Sequence, residues 1–331
     1  MVALNMQHTD SAAPLLQLDG LNASFTTRRG VVPALSDISL SLRQGEILSL
    51  VGESGAGKSL LGSCINGLLP RNCSIKSGAI WFEGQRIEGL NAAQMEKIRG
   101  ARIGTIFQDP LTSLNPLYTV RDQIVRTLKA HQDISDKAAE ARALELLEEV
   151  GIPGAANRLG SYPHEFSGGM RQRVVIALAL TLRPKLIIAD EPTTALDVSI
   201  QAQILELLRR LAGEYGTSII LVTHYMGVVA ETADRVAVLY SGRIVEMGDT
   251  ADVLTHPKHP YTQGLLAAIP SLGRKVDRLP QIPGSMPSLL AIPTGCAFHP
   301  RCPSVFERCK VERPAPRAVG TGTVACHLME S

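Results

Sequence analysis

Gly52-Glu-Ser-Gly-Ala-Gly-Lys-Ser59 decides the reading of this chain. Its spacing, G-x-x-x-x-G-K-[ST], is that of a phosphate-cradling loop, where backbone N–H groups, a lysine and a hydroxyl face an anion. Such a loop needs a strand before it and a helix after it. Ile47-Leu-Ser-Leu-Val51 is a mostly apolar run suited to a strand buried on both faces, and a helix is expected from Lys58. Two other stretches complete the frame. Leu186-Ile-Ile-Ala-Asp-Glu-Pro192 reads as an apolar strand ending in two carboxylates, and Ser167-Gly-Gly-Met-Arg-Gln172 lies just upstream of it.

The 331 residues suffice for one nucleotide-binding domain with an appendage. Hydrophobic residues make up 45%, enough for a large core. Aromatics are only 4% and net charge is +2 without a dense Lys/Arg run, so neither a base-stacking surface nor a dedicated nucleic-acid footprint is expected. Met1–Pro14 lacks a basic stretch followed by an apolar one, so no signal peptide is expected. Val174-Val-Ile-Ala-Leu-Ala-Leu180 is the longest apolar stretch in the middle of the chain, and it falls short of the ~20 residues of a membrane helix. A transport role would therefore need other chains to span the membrane.

Outward from the loop, residues 15–50 read as short strands. Residues 110–165, punctuated by Pro110, Asn115-Pro116 and Pro163, read as a small helical subdomain. In it Leu144, Leu147 and Val150 recur at helical spacing. The core resumes with a helix from about Ser167, the 186–190 strand, a helix near 199–213 and the Ile219-Ile-Leu-Val222 strand. A hairpin follows, from Arg235-Val-Ala-Val-Leu-Tyr240 through Ser241-Gly242 to Arg243-Ile-Val-Glu246. After about residue 255 proline density rises and a third, small and irregular region is expected.

Phosphate loop, S-G-G-x-x-Q element and acidic strand together resemble the ATP-binding subunit of an ABC transporter. The implied fold is α/β: a P-loop NTPase (RecA-like) nucleotide-binding domain with an inserted helical subdomain, an antiparallel β subdomain and a Cys-rich C-terminal region. The implied domains are 14–255 for ATP binding, with the helical subdomain at about 110–170, and 256–331 for the C-terminal region. The loop, Gly52 and Ser54 to Leu60 (Gly55, Ala56, Gly57, Lys58, Ser59), would hold ATP phosphates, with Lys58 neutralising charge. Ser59, Gln108 and Asp190 would serve Mg²⁺, and Glu191 would orient and deprotonate the attacking water. Gln108 resembles the Q-loop, His224 the switch histidine at the γ-phosphate, and Ala195-Leu-Asp197 the D-loop at a dimer interface. Ser167, Gly168, Gly169 and Gln172 resemble the signature that contacts the ATP of a second subunit in trans. Phe25 is the candidate for stacking on adenine, and core packing explains it nearly as well.

Longer stretches narrow the resemblance. Ile106-Phe-Gln-Asp-Pro-Leu-Thr-Ser-Leu-Asn-Pro116, Glu191-Pro-Thr-Thr-Ala-Leu-Asp-Val-Ser-Ile-Gln201, His256-Pro-Lys-His-Pro-Tyr-Thr262 and Gly295-Cys-Ala-Phe-His-Pro-Arg-Cys-Pro303 are similar to the oligopeptide/dipeptide/nickel importer branch, closest to the dipeptide ATPase. That branch implies a second homologous ATPase subunit in a heterodimer, two membrane permease subunits and an extracytoplasmic binding protein. It also implies a peripheral position on the cytoplasmic face of the bacterial inner membrane, and no nucleic-acid partner. Nickel, an opine, glutathione or a metal chelate are the alternative cargoes, and a soluble ABC ATPase outside transport is the other class. One departure is visible: Tyr225-Met226 follows His224 where the branch has Asp-Leu. Of six cysteines, Cys64 and Cys73 read as small apolar residues. Cys296, Cys302, Cys309 and Cys326 follow a C-x5-C-x6-C-x16-C spacing that suits zinc or an iron–sulfur cluster, with reduced free thiols the third reading. The resemblance implies a [4Fe–4S] cluster there; His299 and His327 could replace a thiolate around zinc.

Overall fold

Two kinds of strand build the molecule, and their sequences say why. The computed structural model describes residues 13–194, 196–269 and 280–330; Ala195 and all but the last two residues of Met1–Pro14 lie outside the described residues. Strands β1 (Leu16–Thr27) and β2 (Gly30–Leu42) alternate between buried and more exposed positions. They are twelve and thirteen residues long, where short strands were expected. Bulges in their register break the alternation, which is why the sequence pattern reads as fragments. With β4 (Cys73–Phe82) and β5 (Gln85–Arg86) they form an antiparallel sheet in the order β2-β1-β4-β5.

The second sheet takes its central strands from continuously apolar runs. It contains β3 (Ile47–Val51), β6 (Ile103–Ile106), β7 (Leu186–Asp190), β8 (Ser218–Val222), β9 (Arg235–Tyr240), β10 (Arg243–Asp249), β11 (Arg317–Val319) and β12 (Gly322–Val324). The order is β11-β12-β10-β9-β3-β8-β7-β6, parallel from β9 through β6. Both faces are covered, and the period of two divides the side chains between them. Ile187, Ala189, Ile219 and Leu221 pack with the helices on one side. Leu186, Ile188, Ile220 and Val222 pack with the first sheet and the helix Lys58–Asn66 on the other. Each buried Leu or Ile stabilises the fold by about 1.5–3 kcal/mol.

Residues 110–180 fold largely as helices, and four of them are started by a side-chain cap. Asp109, Thr119, Ser135 and Ser167 accept backbone N–H bonds at the starts of Pro110–Ser113, Val120–His131, Asp136–Glu149 and Gly168–Leu180. Leu147 and Val150 are buried as their spacing anticipates, whereas Leu144 is partly buried and Ala139, Ala143 and Leu146 complete the inward face. The segment after residue 255 is more ordered than expected. It contributes the helix Pro260–Ala267 and the hairpin β11–β12, whose inner strand pairs with β10 at the edge of the main sheet. Strands of three residues carry too few positions for a readable alternation. Among the described residues no helix is long and apolar enough to cross a membrane.

Candidate functional site

The phosphate loop leaves the centre of the main sheet at the end of β3. Gly52 must be glycine: at φ +150° a Cβ would stand 2.3 Å from the Leu239 carbonyl oxygen. Gly57 precedes the helix Lys58–Asn66 in a left-handed conformation, and no side chain caps that helix. Its first N–H groups therefore remain available to an anion. Ala56 is buried, and its carbonyl accepts the Gly242 N–H at 2.9 Å. Lys58 is only 5% exposed and donates to the carbonyls of Gly52 at 2.8 Å and Glu53 at 3.1 Å. Burial pushes its pKa down, opposed by the carboxylates of Glu191, Asp190 and Glu53.

Strand β7 delivers the acids. Asp190 accepts the Ser59 hydroxyl at 2.9 Å, and burial raises its pKa against that bond. Glu191 turns sharply away, at φ +46°, a left-handed conformation that costs a non-glycine residue of order 1–3 kcal/mol. Three side chains hold its carboxylate. Gln108 donates to Oε2 at 3.0 Å, the Thr194 hydroxyl donates to Oε2 at 2.9 Å, and His224 Nδ1 lies 3.2 Å from Oε1. Gln108, Glu191 and His224 are thus brought together, with the first and last both on the Glu191 carboxylate, a pairing the sequence did not specify. Thr194 was missed; the only available signal was a hydroxyl three residues past the acid. The Tyr225 ring lies 4.0 Å from the His224 ring, centroid to centroid, so the departure after the histidine places an aromatic directly against it.

Part of this set faces a cleft of about 310 Å³, with Asp190, Thr194 and His224 outside its lining. Phe25, Ser54, Gly55, Gly57, Lys58, Ser59, Leu60, Gln108 and Glu191 line it, joined by Ala34 and by Leu289 from the C-terminal segment, two positions not anticipated. Phe25 is half-buried, an apolar wall compatible with a base ring. The Ser59 hydroxyl and the Asp190 carboxylate form a hard oxygen pair of the kind Mg²⁺ takes.

A second cleft, of about 450 Å³, gathers Ser167, Gly168, Gly169 and Asp197 with Leu196 and Ile200. Ser167, Gly168 and Asp197 are exposed there. Gln172 does not join them: it is 1% exposed, and its amide nitrogen has no hydrogen-bond partner among the described residues.

Cys296, Cys302, Cys309 and Cys326 line one small pocket with His259, His299 and His327. The enclosed space is about 10 Å³, comparable to the room one water's centre needs. Burial raises the Cys296, Cys302 and Cys326 thiols, the last to about 11, which favours the neutral form. Among the described residues no group of three His, Cys, Asp or Glu is disposed to hold a metal ion. The expected [4Fe–4S] or zinc site thus lacks support in the geometry: the thiols share a pocket without forming a ligand cage. Cys64 and Cys73 are buried and free, Cys64 with its pKa pushed up to about 12.

Comparison with known proteins adds the following. Residues 35–194 match the ABC transporter family, and residues 245–309 match the oligopeptide/dipeptide transporter C-terminal region. The oligopeptide transport ATP-binding protein of Haemophilus influenzae is 48% identical over 298 residues, 90% of this chain and 92% of the relative. The dipeptide transport ATP-binding protein of Escherichia coli K12 is 44% identical over 314 residues, 95% of this chain and 96% of the relative. Among solved structures, a dimeric ATP-binding cassette in a post-hydrolysis state with ADP and Pi aligns at TM-score 0.64 and 29% identity, covering 71% of this chain and 98% of that one.

Proposed function

The chain belongs to the ATP-binding subunits of the oligopeptide/dipeptide importers within the ABC transporter family, and on that premise we propose how its residues divide the work. It is an ABC-type ATPase whose hydrolysis energises import of di- or oligopeptides. The observation that carries the residue assignments is Glu191, held by three side chains at the mouth of the phosphate-loop cleft. ATP phosphates sit on Gly52 and Ser54 to Leu60 with Lys58 against them, and Phe25 meets the base. Ser59 and Asp190, with Gln108 nearby, would hold Mg²⁺, which supplies charge neutralisation across the phosphates when bound. Glu191 orients water for in-line attack, and Gln108 and His224 hold that carboxylate in register.

The exposed Ser167–Gly169 turn and Asp197 face a second ATPase subunit, so that each ATP is closed between two chains. Gln172, being buried, supports the turn from behind. The partner is a homologous, non-identical chain. Phe107, Leu111 and Leu117 stand exposed in the stretch of sequence that flanks and follows Gln108, which supports a contact between the 110–170 helical subdomain and two permease subunits. That assembly puts the chain peripherally on the cytoplasmic face of the bacterial inner membrane, fed by an extracytoplasmic binding protein. Residues 14–255 are the ATP-binding domain and 256–331 the C-terminal region, with β1, β2, β4 and β5 as its antiparallel β subdomain. The [4Fe–4S] reading, with zinc as its alternative, rests on the resemblance alone. Anaerobic purification with iron, sulfide and zinc analysis tests it, and metal-free folded protein ends both.

The experiment on function is uptake of labelled dipeptides and of nickel in host cells carrying Glu191→Gln in place of the wild-type chain. Loss of dipeptide uptake with nickel uptake intact is expected. Loss of nickel uptake alone keeps the machine and changes the cargo; survival of both removes the importer reading for these cargoes.

A further inference from the structure

Glu53 is the second residue of the phosphate loop, and its carboxylate is gripped from the far end of the chain. Arg301 Nη1 donates to Oε2 at 2.6 Å and Nη2 to Oε1 at 2.9 Å, a two-pronged pair across 248 positions of sequence. The Arg301 side chain is 5% exposed. It is held in turn by the Pro283 carbonyl, which accepts from Nε at 2.7 Å, and by the Tyr240 hydroxyl at 3.3 Å. From another side the Glu53 N–H donates to the Tyr261 hydroxyl at 2.8 Å. Tyr261 is itself fully buried, packed on Tyr240 and Phe298 with ring centroids 4.7 and 5.3 Å away. Two independent bonds from the C-terminal region therefore converge on one loop residue.

A carboxylate in a loop that must receive several phosphate charges is a liability. The field of Glu53 already reaches Lys58. Unpaired, Glu53 would repel the nucleotide; paired with a rigid guanidinium fork, it is neutral from a distance and fixed in direction. Resting on the assignment of this cleft to ATP, we propose that Arg301 is a positioning residue that neutralises Glu53 and, with Tyr261, lets the C-terminal region set this subunit's affinity for ATP. A merely structural ion pair would act through stability alone. An electrostatic one has a sign, and the sign can be reversed.

The test is equilibrium binding of MgATP to the purified full-length chain, with melting temperatures recorded alongside. Arg301→Gln leaves a bare carboxylate and is expected to weaken binding about tenfold, more at low salt. Glu53→Gln alone removes a negative charge, leaves Arg301 unopposed and is expected to bind ATP more tightly than wild type. In Glu53→Gln/Arg301→Gln no net charge differs from the wild-type pair, and affinity should return to within about threefold of wild type. A double variant as weak as Arg301→Gln, or a Glu53→Gln variant that binds no more tightly than wild type, overturns the proposal. Should Arg301→Gln fail to fold, Glu53→Gln still decides by its sign. Lys58→Ala separates the two failures: if it binds ATP like wild type, the ATP assignment itself is wrong; if it loses ATP while Arg301 and Glu53 variants change nothing, only this inference falls.

Discussion

On the proposed assignment Glu191 concentrates the chemistry of the chain in one side chain, and three neighbours hold it in a left-handed backbone conformation. Glu191→Gln should still bind ATP while turnover falls about 10²–10⁴-fold, the usual contribution of a positioned base. Steady-state ATPase assays beside nucleotide binding check this, and near-normal turnover would remove the assignment. Thr194→Val keeps the shape and deletes one donor to Oε2. A loss of about 5–20-fold in turnover with little change in ATP affinity is expected, on the order of one charge-assisted hydrogen bond. At this scale the sequence was legible where residue types recur at a set spacing: Lys58, Ser59, Asp190 and Glu191 stand close together at the ends of two neighbouring elements. Thr194 was illegible because a threonine after an acid has many ordinary uses. The spacing S-G-G-x-x-Q says nothing about which side of a helix faces inward, so the burial of Gln172 was not legible.

Among the elements, the helix Pro260–Ala267 is small yet decisive, since it presents Tyr261 to the phosphate loop. Its start is fixed by His259, which is 1% exposed and accepts the Tyr261 N–H on Nδ1 at 3.0 Å. The Glu246 carboxylate on β10 accepts the backbone N–H groups of Lys258 and His259 at 2.8 and 2.9 Å, tying the helix to the sheet. Burial lowers the His259 pKa from 6.5 to about 4. The unfolded chain therefore takes up a proton between those values and the folded chain does not. The contribution of this group is fully present above pH 6.5 and is lost as pH falls toward 4, about 3 kcal/mol in all. His259→Asn retains a side-chain acceptor and removes the titration. Its melting temperature should fall less steeply than that of wild type between pH 7 and 4.5; parallel curves would contradict the assignment. The sequence marked His256–Thr262 as distinctive and could not say why, because its purpose lies in bonds to Glu246 and Glu53, distant in sequence. Continuous apolar strands such as β3, β7 and β8 were read with nearly correct limits, since their burial needs no partner to be recognised.

For the molecule as a whole, the C-terminal region is built into the ATPase rather than hung from it. It supplies β12 to the main sheet, Phe298 to the core around Tyr240, Arg301 to the loop and Leu289 to the cleft. A chain ending at residue 255 should therefore express poorly and melt well below the full-length protein, by about 10 °C or more if several kcal/mol of packing are lost. Soluble yield and a melting curve check this, and a stable truncated ATPase would contradict it. The composition change near 255 was legible as a boundary in sequence; that the boundary is not one in space follows from pairings spread over hundreds of residues. The pairing of β12 with β10 also bears on biogenesis. A nascent chain that has emerged through Asp249 has its parallel strands in hand and an open outer margin on β10, which nothing native can cover until residues 322–324 leave the ribosome. In that interval the margin offers unpaired backbone groups to any passing strand, so translation pauses late in this message, or loss of the chaperones that attend it, should reduce yield more than the finished protein's stability would suggest.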